Sequence, residues 1–169
     1  LSNFGIDITI GEAVDVGTNG KLSEYHSAVG LASFDMWPQT RRDRIALHAR
    51  YREELRASCP TLGFQDKPAD GIYPVFPVLL PVGYQSVDVA RALAAAGIET
   101  RRWYCPPLHR HRAFQGVVPM RPVPVAELLE SRLLGLPFFL DMTDAQRAIV
   151  CEQLRFLLAS PDGVSHGDH

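Results

Sequence analysis

The residues best suited to chemistry lie in one short segment, residues 17–23, with the sequence GTNGKLS. Its two glycines let the backbone turn tightly and approach a ligand. Asn19 offers an amide, Lys21 offers an ammonium group, and Ser23 can cap a helix whose first N–H groups face the loop. This set of donors suits a phosphate. The same residues also form an ordinary Asn-Gly turn before a Ser-capped helix, and physical chemistry alone favours that turn.

Composition narrows the classes of function. The chain has 169 residues, 46% of them hydrophobic, and a net charge of −2. That charge predicts neither a nucleic-acid partner nor a membrane partner. Cys59, Cys105 and Cys151 are widely spaced and form no CxxC pair, which favours a reduced, cytoplasmic protein. No apolar run reaches the roughly 20 residues needed to span a bilayer.

Two helices are expected in the first third of the chain. Ser23 caps the first, which runs to about Phe34 before Pro38 breaks the pattern. Its one glycine, Gly30, predicts a closely packed neighbour. The second helix runs from Thr40 to about residue 57 and alternates arginines with a narrow apolar stripe. A largely solvated helix of this kind suits a bridge between two domains.

From residue 72 onward, strands and helices alternate. Strands are predicted over 73–80, 98–104 and 136–139, and helices over 87–96 and 125–133, with a last helix that opens at a capping box, Thr143 to Gln146. Ser86 is expected to cap the helix that Gly97 ends. These elements predict an α/β chain with a small α+β domain. The expected units are 1–36, the end of a large domain; 37–58, a bridging helix; 59–160, the small domain; and 161–169, a disordered tail.

The segment 17–31 resembles the G-x-N-x-[RK]-[LM]-S-E-x-x-A-A-x-G-L signature of the DegT/DnrJ/EryC1/StrS sugar aminotransferases. Further likenesses follow in family order. Residues 3–5 (NFG) resemble the end of the family's cofactor-lysine region, and 41–56 resemble its RRxxIAxRYxxxL helix. Residues 104–109 (YCPPLH) are similar to its Y-x-P-L-H turn, and 136–143 resemble its closing LPLHPxLT segment.

The resemblance implies a fold, a cofactor and a reaction. The fold would be the C-terminal part of a fold type I aminotransferase that uses pyridoxal phosphate (PLP), with a small antiparallel-type sheet covered by helices. Asn19 would reach the PLP phosphate of the other subunit in a homodimer, and Lys21 would lie near the phosphate or the substrate. Tyr104 and His109 would line the nucleotide-sugar pocket. The reaction would move an amino group from glutamate to a nucleotide-linked keto sugar, in polysaccharide or antibiotic-sugar biosynthesis.

One family feature has no counterpart here. The lysine that bonds to PLP precedes the NFG segment in the family, in an S-x-x-x-K-x-x-x-x-G-E-G-G context, and the aspartate that pairs with the pyridinium nitrogen also lies upstream. Lys21 and Lys67, the two lysines, stand in other settings. No catalytic residue is therefore predicted in this chain, which is expected to begin in mid-domain and to be inactive alone.

Alternative interpretations follow from the missing lysine. The chain could be a non-catalytic remnant that regulates or dimerises with a complete homologue, or half of a split enzyme complemented by an N-terminal polypeptide. The spacing of Cys105, His109 and His111 also admits a metal site, although a solvated pair of loop histidines is more common and no metal is predicted. His26 is expected to be packed in the core.

Overall fold

The computed structural model of the protein describes residues 6–7, 9, 12–13, 18, 20, 22–66, 71–102, 105–111 and 122–159. The chain divides into two compact units, Leu1–Arg41 and Arg42–His169. In the first unit, β1 (Ile6–Asp7) pairs antiparallel with β2 (Glu12–Ala13). The expected tail at 161–169 lies outside the described residues.

Helix α1 (Glu24–Ser58) is a single helix of 35 residues that contains Pro38. The predicted break at Pro38 is wrong. A proline removes one N–H donor and crowds the carbonyl four residues earlier, which lowers helix stability without always ending the helix. Here that carbonyl belongs to Phe34, and both residues lie in an exposed stretch. The predicted close neighbour of Gly30 is also not found, since a side-chain Cβ there would meet nothing within 4 Å.

The second unit is built on a three-stranded antiparallel sheet in the order β3-β4-β5. The strands are β3 (Gly63–Phe64), β4 (Phe76–Leu79) and β5 (Leu133–Leu136). β3 lies outside the three strands that the sequence predicts. The predicted strand 98–104 is reduced to one bridge, Arg101 with Gly135, in which the two residues exchange N–H···O bonds of 2.9 and 2.7 Å.

Three further helices complete the second unit: α2 (Ser86–Ala95), α3 (Pro124–Glu130) and α4 (Asp144–Ala159). Buried side chains from α1, α2, α4 and the sheet form one core, which confirms the predicted α/β class with a small antiparallel sheet and helices. Its aromatic centre joins α1 to β4, with ring centroids of Tyr51 and Phe76 4.6 Å apart. Aromatic pairs at this separation add to the stabilisation from area burial.

Helix α4 is positioned by its capping box and by a buried arginine. Gln146 N–H donates to Thr143 Oγ1 at 3.2 Å, and Thr143 N–H donates to Gln146 Oε1 at 2.9 Å, as predicted. Arg147 is 2% exposed and donates two hydrogen bonds to Glu54 on α1, of 2.9 and 3.0 Å. It also donates to Asp144 Oδ1 at 2.7 Å. This fork ties the start of α4 to α1.

Ser86 does not cap α2 as predicted, because its side chain has another partner. The helix begins at Ser86, and Gln85 stands at the cap without a side-chain hydrogen bond. Ser86 is fully buried, its N–H donates to Ser131 O at 2.6 Å, and its Oγ accepts from Arg102 Nε at 3.0 Å. Ser86 therefore holds the segment that leads toward residue 104.

Candidate functional site

The segment predicted to bind phosphate is described in part. Asn19 and Lys21 lie outside the described residues, while Thr18, Gly20 and residues 22 onward are described. Gly20 N–H donates to Thr18 O at 3.0 Å, so the backbone turns here. Ser23 caps α1 as predicted, because its Oγ accepts from His26 N–H at 3.2 Å.

His26 is exposed, so the prediction that it is a core histidine is wrong. Its Nδ1 lies 2.7 Å from Ser23 Oγ, at the same helix start. The histidine follows Ser23 by three residues and therefore lies over the first turn of α1. Beyond the N–H that Ser23 caps, the first N–H groups of a helix have no intrahelical acceptor and can bind an anion. Glu24 adds a negative charge to this turn, which a neighbouring cation would have to offset.

The second group of predicted residues surrounds the segment 105–111. Tyr104 lies outside the described residues, and His109 stands in a short 3₁₀ turn, Leu108–Arg110. Hydrogen bonds attach this segment to helix α3. Cys105 Sγ donates to Glu130 O at 3.1 Å, and Arg110 Nη1 pairs with Glu130 Oε2 at 2.8 Å. The loop is thus held by a helix, as a binding residue on a loop requires.

His109 is largely enclosed, with a side-chain exposure of 19%. Its Nε2 lies 3.4 Å from Glu127 Oε1 on α3. The orientation falls short of a hydrogen bond, so this buried nitrogen has no hydrogen-bond partner among the described residues. Arg110 Nη2 approaches the same carboxylate oxygen at 3.5 Å. Glu127 is therefore shared between an imidazole and a guanidinium group.

The cysteine and histidines of this loop do not converge. His111 Nε2 lies 2.8 Å from Pro106 O, and Cys105 binds the α3 backbone. Within the described residues, no group of three or more His, Cys, Asp or Glu side chains could hold a metal ion. Cys105, His109 and His111 are all described, so the spacing that suggested a metal site does not bring them together as ligands.

A cavity of about 600 Å³ lies elsewhere in the second unit. It is lined by residues 96–99 and 101, which follow α2, by residues 74–75, by the segment 135–139, and by Met142 and the first turns of α4. None of the predicted site residues lines it. Size alone would make this cavity a candidate for ligand binding, but the residues that resemble a binding motif lie outside it.

Sequence reasoning missed Arg110, Glu127 and Glu130. The two glutamates are three residues apart and so share a face of α3, which is a signal for a common partner. The partner itself could not be read from the sequence, because Arg110 comes from a polar loop 20 residues before Glu130.

The fold is shared with solved structures of aminotransferases. It matches solved structures of PLP-dependent aminotransferases and covers about 42% of each of them. The sequence model of the DegT/DnrJ/EryC1/StrS aminotransferase family matches residues 1–155, so the chain belongs to this family. This confirms the resemblance drawn from the motifs.

Individual relatives fit the same assignment. The chain is 33% identical to DesI, solved in the presence of its TDP-sugar product, with a TM-score of 0.78 over 94% of this chain and 41% of DesI. It is 26% identical to the dTDP-4-amino-4,6-dideoxy-D-glucose transaminase of Escherichia coli, over 85% of this chain and 40% of the enzyme. It is 28% identical to a pleiotropic regulatory protein of Geobacillus stearothermophilus, over 82% of this chain and 38% of that protein.

The chain spans about two fifths of the length of the curated relatives it matches. Family membership implies PLP as the cofactor. The start of α1 offers helix N–H donors that fit a phosphate. The described residues contain no lysine, since Lys21 and Lys67 both lie outside them. No helix in the described part of the chain has the length and apolar character needed to cross a membrane.

Proposed function

We propose that this chain is the C-terminal portion of a cytoplasmic PLP-dependent aminotransferase that acts on a nucleotide-linked keto sugar. The observation that carries the proposal is the family match over residues 1–155, joined to relatives whose names specify dTDP- and TDP-sugars. PLP would supply the chemistry that moves an amino group from glutamate to the keto sugar. The units 1–36, 37–58 and 59–160 would be the end of the large domain, the bridging helix and the small domain.

In this proposal the chain binds and orients the cofactor and the nucleotide sugar, and another segment supplies the lysine. Asn19, Lys21 and the first N–H groups of α1 would hold the PLP phosphate across a dimer interface. The positive charge of Lys21 would offset the negative charge of Glu24. Tyr104 and His109 would face the nucleotide sugar, with the 105–111 loop held rigid by α3.

The exposed apolar surface at the start of α1 supports the proposal that other protein structure packs against the first unit. Six large apolar side chains of α1 before Pro38 are exposed, and they lie on more than one side of the helix: Tyr25, Val29, Leu31, Phe34, Met36 and Trp37. A helix that is apolar all round is stable in water only when other structure covers it. The cover would come from the rest of the large domain and from a second subunit.

A regulatory role is the second candidate. A relative 28% identical carries the name pleiotropic regulatory protein. In that case the chain would bind a complete homologue without adding a catalytic group.

An amino-transfer assay separates the two candidates. The chain is joined to, or mixed with, a polypeptide that carries the family's lysine region, and is given glutamate and a dTDP-linked 4-keto sugar. We expect an amino sugar to form, and Asn19→Ala to lower kcat/KM by about tenfold or more through the loss of a phosphate contact, the equivalent of at least about 1.4 kcal/mol. Gln39→Ala, on an exposed part of α1, is the control and should leave the rate unchanged. No transfer with any keto sugar, despite PLP binding, would favour the regulatory role.

A further inference from the structure

We propose that Glu127 is a positioning residue that fixes the orientation and tautomer of His109. The inference rests on the proposed function in one respect, namely that His109 faces the nucleotide sugar. Its structural basis is the pair formed by His109 Nε2 and Glu127 Oε1, 3.4 Å apart. The two residues come from different elements, the 3₁₀ turn and helix α3.

The chemistry of the pair determines which ring nitrogen carries the proton. An ionised carboxylate accepts hydrogen bonds and cannot donate them. Nε2 of His109 is buried and, among the described residues, has no hydrogen-bond partner, so the carboxylate oxygen is the acceptor it faces. A proton on Nε2 is favoured there, because Nε2 lies 3.4 Å from a negatively charged oxygen, although the orientation is not that of a hydrogen bond. In the neutral ring this leaves Nδ1 as an acceptor, the role that a sugar hydroxyl requires.

The carboxylate is itself held in place. Arg110 lies 3.5 Å from Glu127 Oε1 and 2.8 Å from Glu130 Oε2, so one guanidinium group spans two glutamates on one face of α3. The Arg110 N–H also donates to Pro107 O at 2.8 Å, which closes the turn around His109. The side chain of Glu127 is therefore oriented before any ligand arrives. Hydrogen bonds in unliganded sites are often long and shorten when the ligand binds.

A purely structural role predicts something different. If Glu127 only anchors the loop through Arg110, the tautomer of His109 does not depend on the residue at position 127. Loss of loop anchoring alone would be reproduced by Glu130→Gln, because Glu130 makes the shorter contact with Arg110. The two roles are distinguished by determining which ring nitrogen of His109 carries the proton.

The experiment is a long-range ¹H–¹⁵N spectrum of the histidine rings in the chain as it stands. His109→Gln identifies the His109 signals among the six histidines. At a pH where the ring is neutral, we expect the wild-type chain to carry the proton on Nε2. Glu127→Ala should give a mixture of tautomers and speed exchange of the ring N–H about fivefold, as expected for the loss of a charge contact of about 1 kcal/mol. Glu127→Gln should retain the wild-type pattern because its amide oxygen still accepts, and Glu130→Gln should retain it too.

A wild-type ring protonated on Nδ1 would overturn the inference. An unchanged tautomer in a folded Glu127→Ala chain would also overturn it. Amino-transfer kinetics give a separate reading: in the complete enzyme, Glu127→Ala should raise KM for the sugar nucleotide and leave the glutamate half-reaction unchanged. An expected spectrum in a protein without aminotransferase activity would contradict the proposed function alone, since the spectrum requires no turnover.

Discussion

Among single residues, Arg147 is the clearest case of a buried position and a partner that the sequence does not predict. Charged side chains are seldom fully buried unless they are paired, and the apolar periodicity of α4 gives no reason to place Arg147 inside. Its main partner, Glu54, is 93 positions away on α1. The hydrogen bonds to Glu54 come first among the causes that raise the pKa of the Arg147 guanidinium group above its ordinary value. Long-range pairs of this kind require the folded structure.

We predict that Arg147→Met destabilises the chain by about 2–3 kcal/mol. Breaking a buried ion pair leaves the other partner without its counter-charge. The cost is at the lower end because Glu54 is 39% exposed and water can reach it. Urea unfolding measures the change. Arg91→Met is the matched control, since Arg91 pairs with Asp88 at the surface, and we expect it to cost no more than about 0.5 kcal/mol. Equal losses in the two variants would show that the fork of Arg147 does not stabilise the unit.

Asp144 gives a prediction about acid stability. Its hydrogen bond from Arg147 lowers the pKa of the carboxyl below the ordinary 3.8. A pKa lowered in the folded state contributes stability that is fully present above the unfolded pKa. That stability is lost as the pH falls through the folded pKa. Asp144→Asn should therefore reduce the loss of unfolding free energy between about pH 5 and about pH 3, measured by urea unfolding at each pH.

The effect of Asp144 is expected to be modest, because its side chain is 89% exposed. Asp141→Asn, in the exposed loop just before α4, is the control and should preserve the wild-type slope. A steeper acid loss in Asp144→Asn than in the wild type would contradict the sign of the proposed contribution.

At the level of helices and strands, local signals identified some ends and missed others. The capping box of α4 and the glycine after α2 could be predicted because each depends on neighbours within a few residues. The continuity of α1 through Pro38 and the true role of Ser86 could not. Ser86 makes its bonds with Arg102 and Ser131, which are distant in sequence, and those partners outweigh its preference for a helix cap.

Gly97 tests whether backbone conformation determines how α2 ends. Its φ of +76° lies in the left-handed region, and the space around it is open, so a side chain would be strained by the backbone rather than by a clash. Gly97→Ala should lower the unfolding free energy by about 1 kcal/mol. Gly97→Asn should cost less, because asparagine tolerates this conformation better. Urea unfolding of both variants is the measurement, and a loss in Asn as large as in Ala would show that backbone conformation is not the cause.

For the whole molecule, the family and fold class could be predicted because the motifs recur in order along the chain and are confirmed by the match over 155 residues. Only part of the candidate site could be predicted from the sequence. The resemblance named Asn19, Lys21, Tyr104 and His109, and of these the structure describes His109. The residues that hold His109 emerged only from the structure, since Arg110 and Glu127 meet through the folding of a loop onto α3.

The absorbance spectrum of the chain mixed with PLP tests most directly which segment supplies the cofactor-binding lysine. We propose that this chain contributes phosphate and sugar contacts while the lysine comes from another segment. We predict no absorbance band of lysine-bound PLP from the chain alone, and a band when a polypeptide with the family's lysine region is added. A band from the chain alone that disappears in Lys21→Ala would contradict the claim, because it would place the cofactor-binding lysine within these residues.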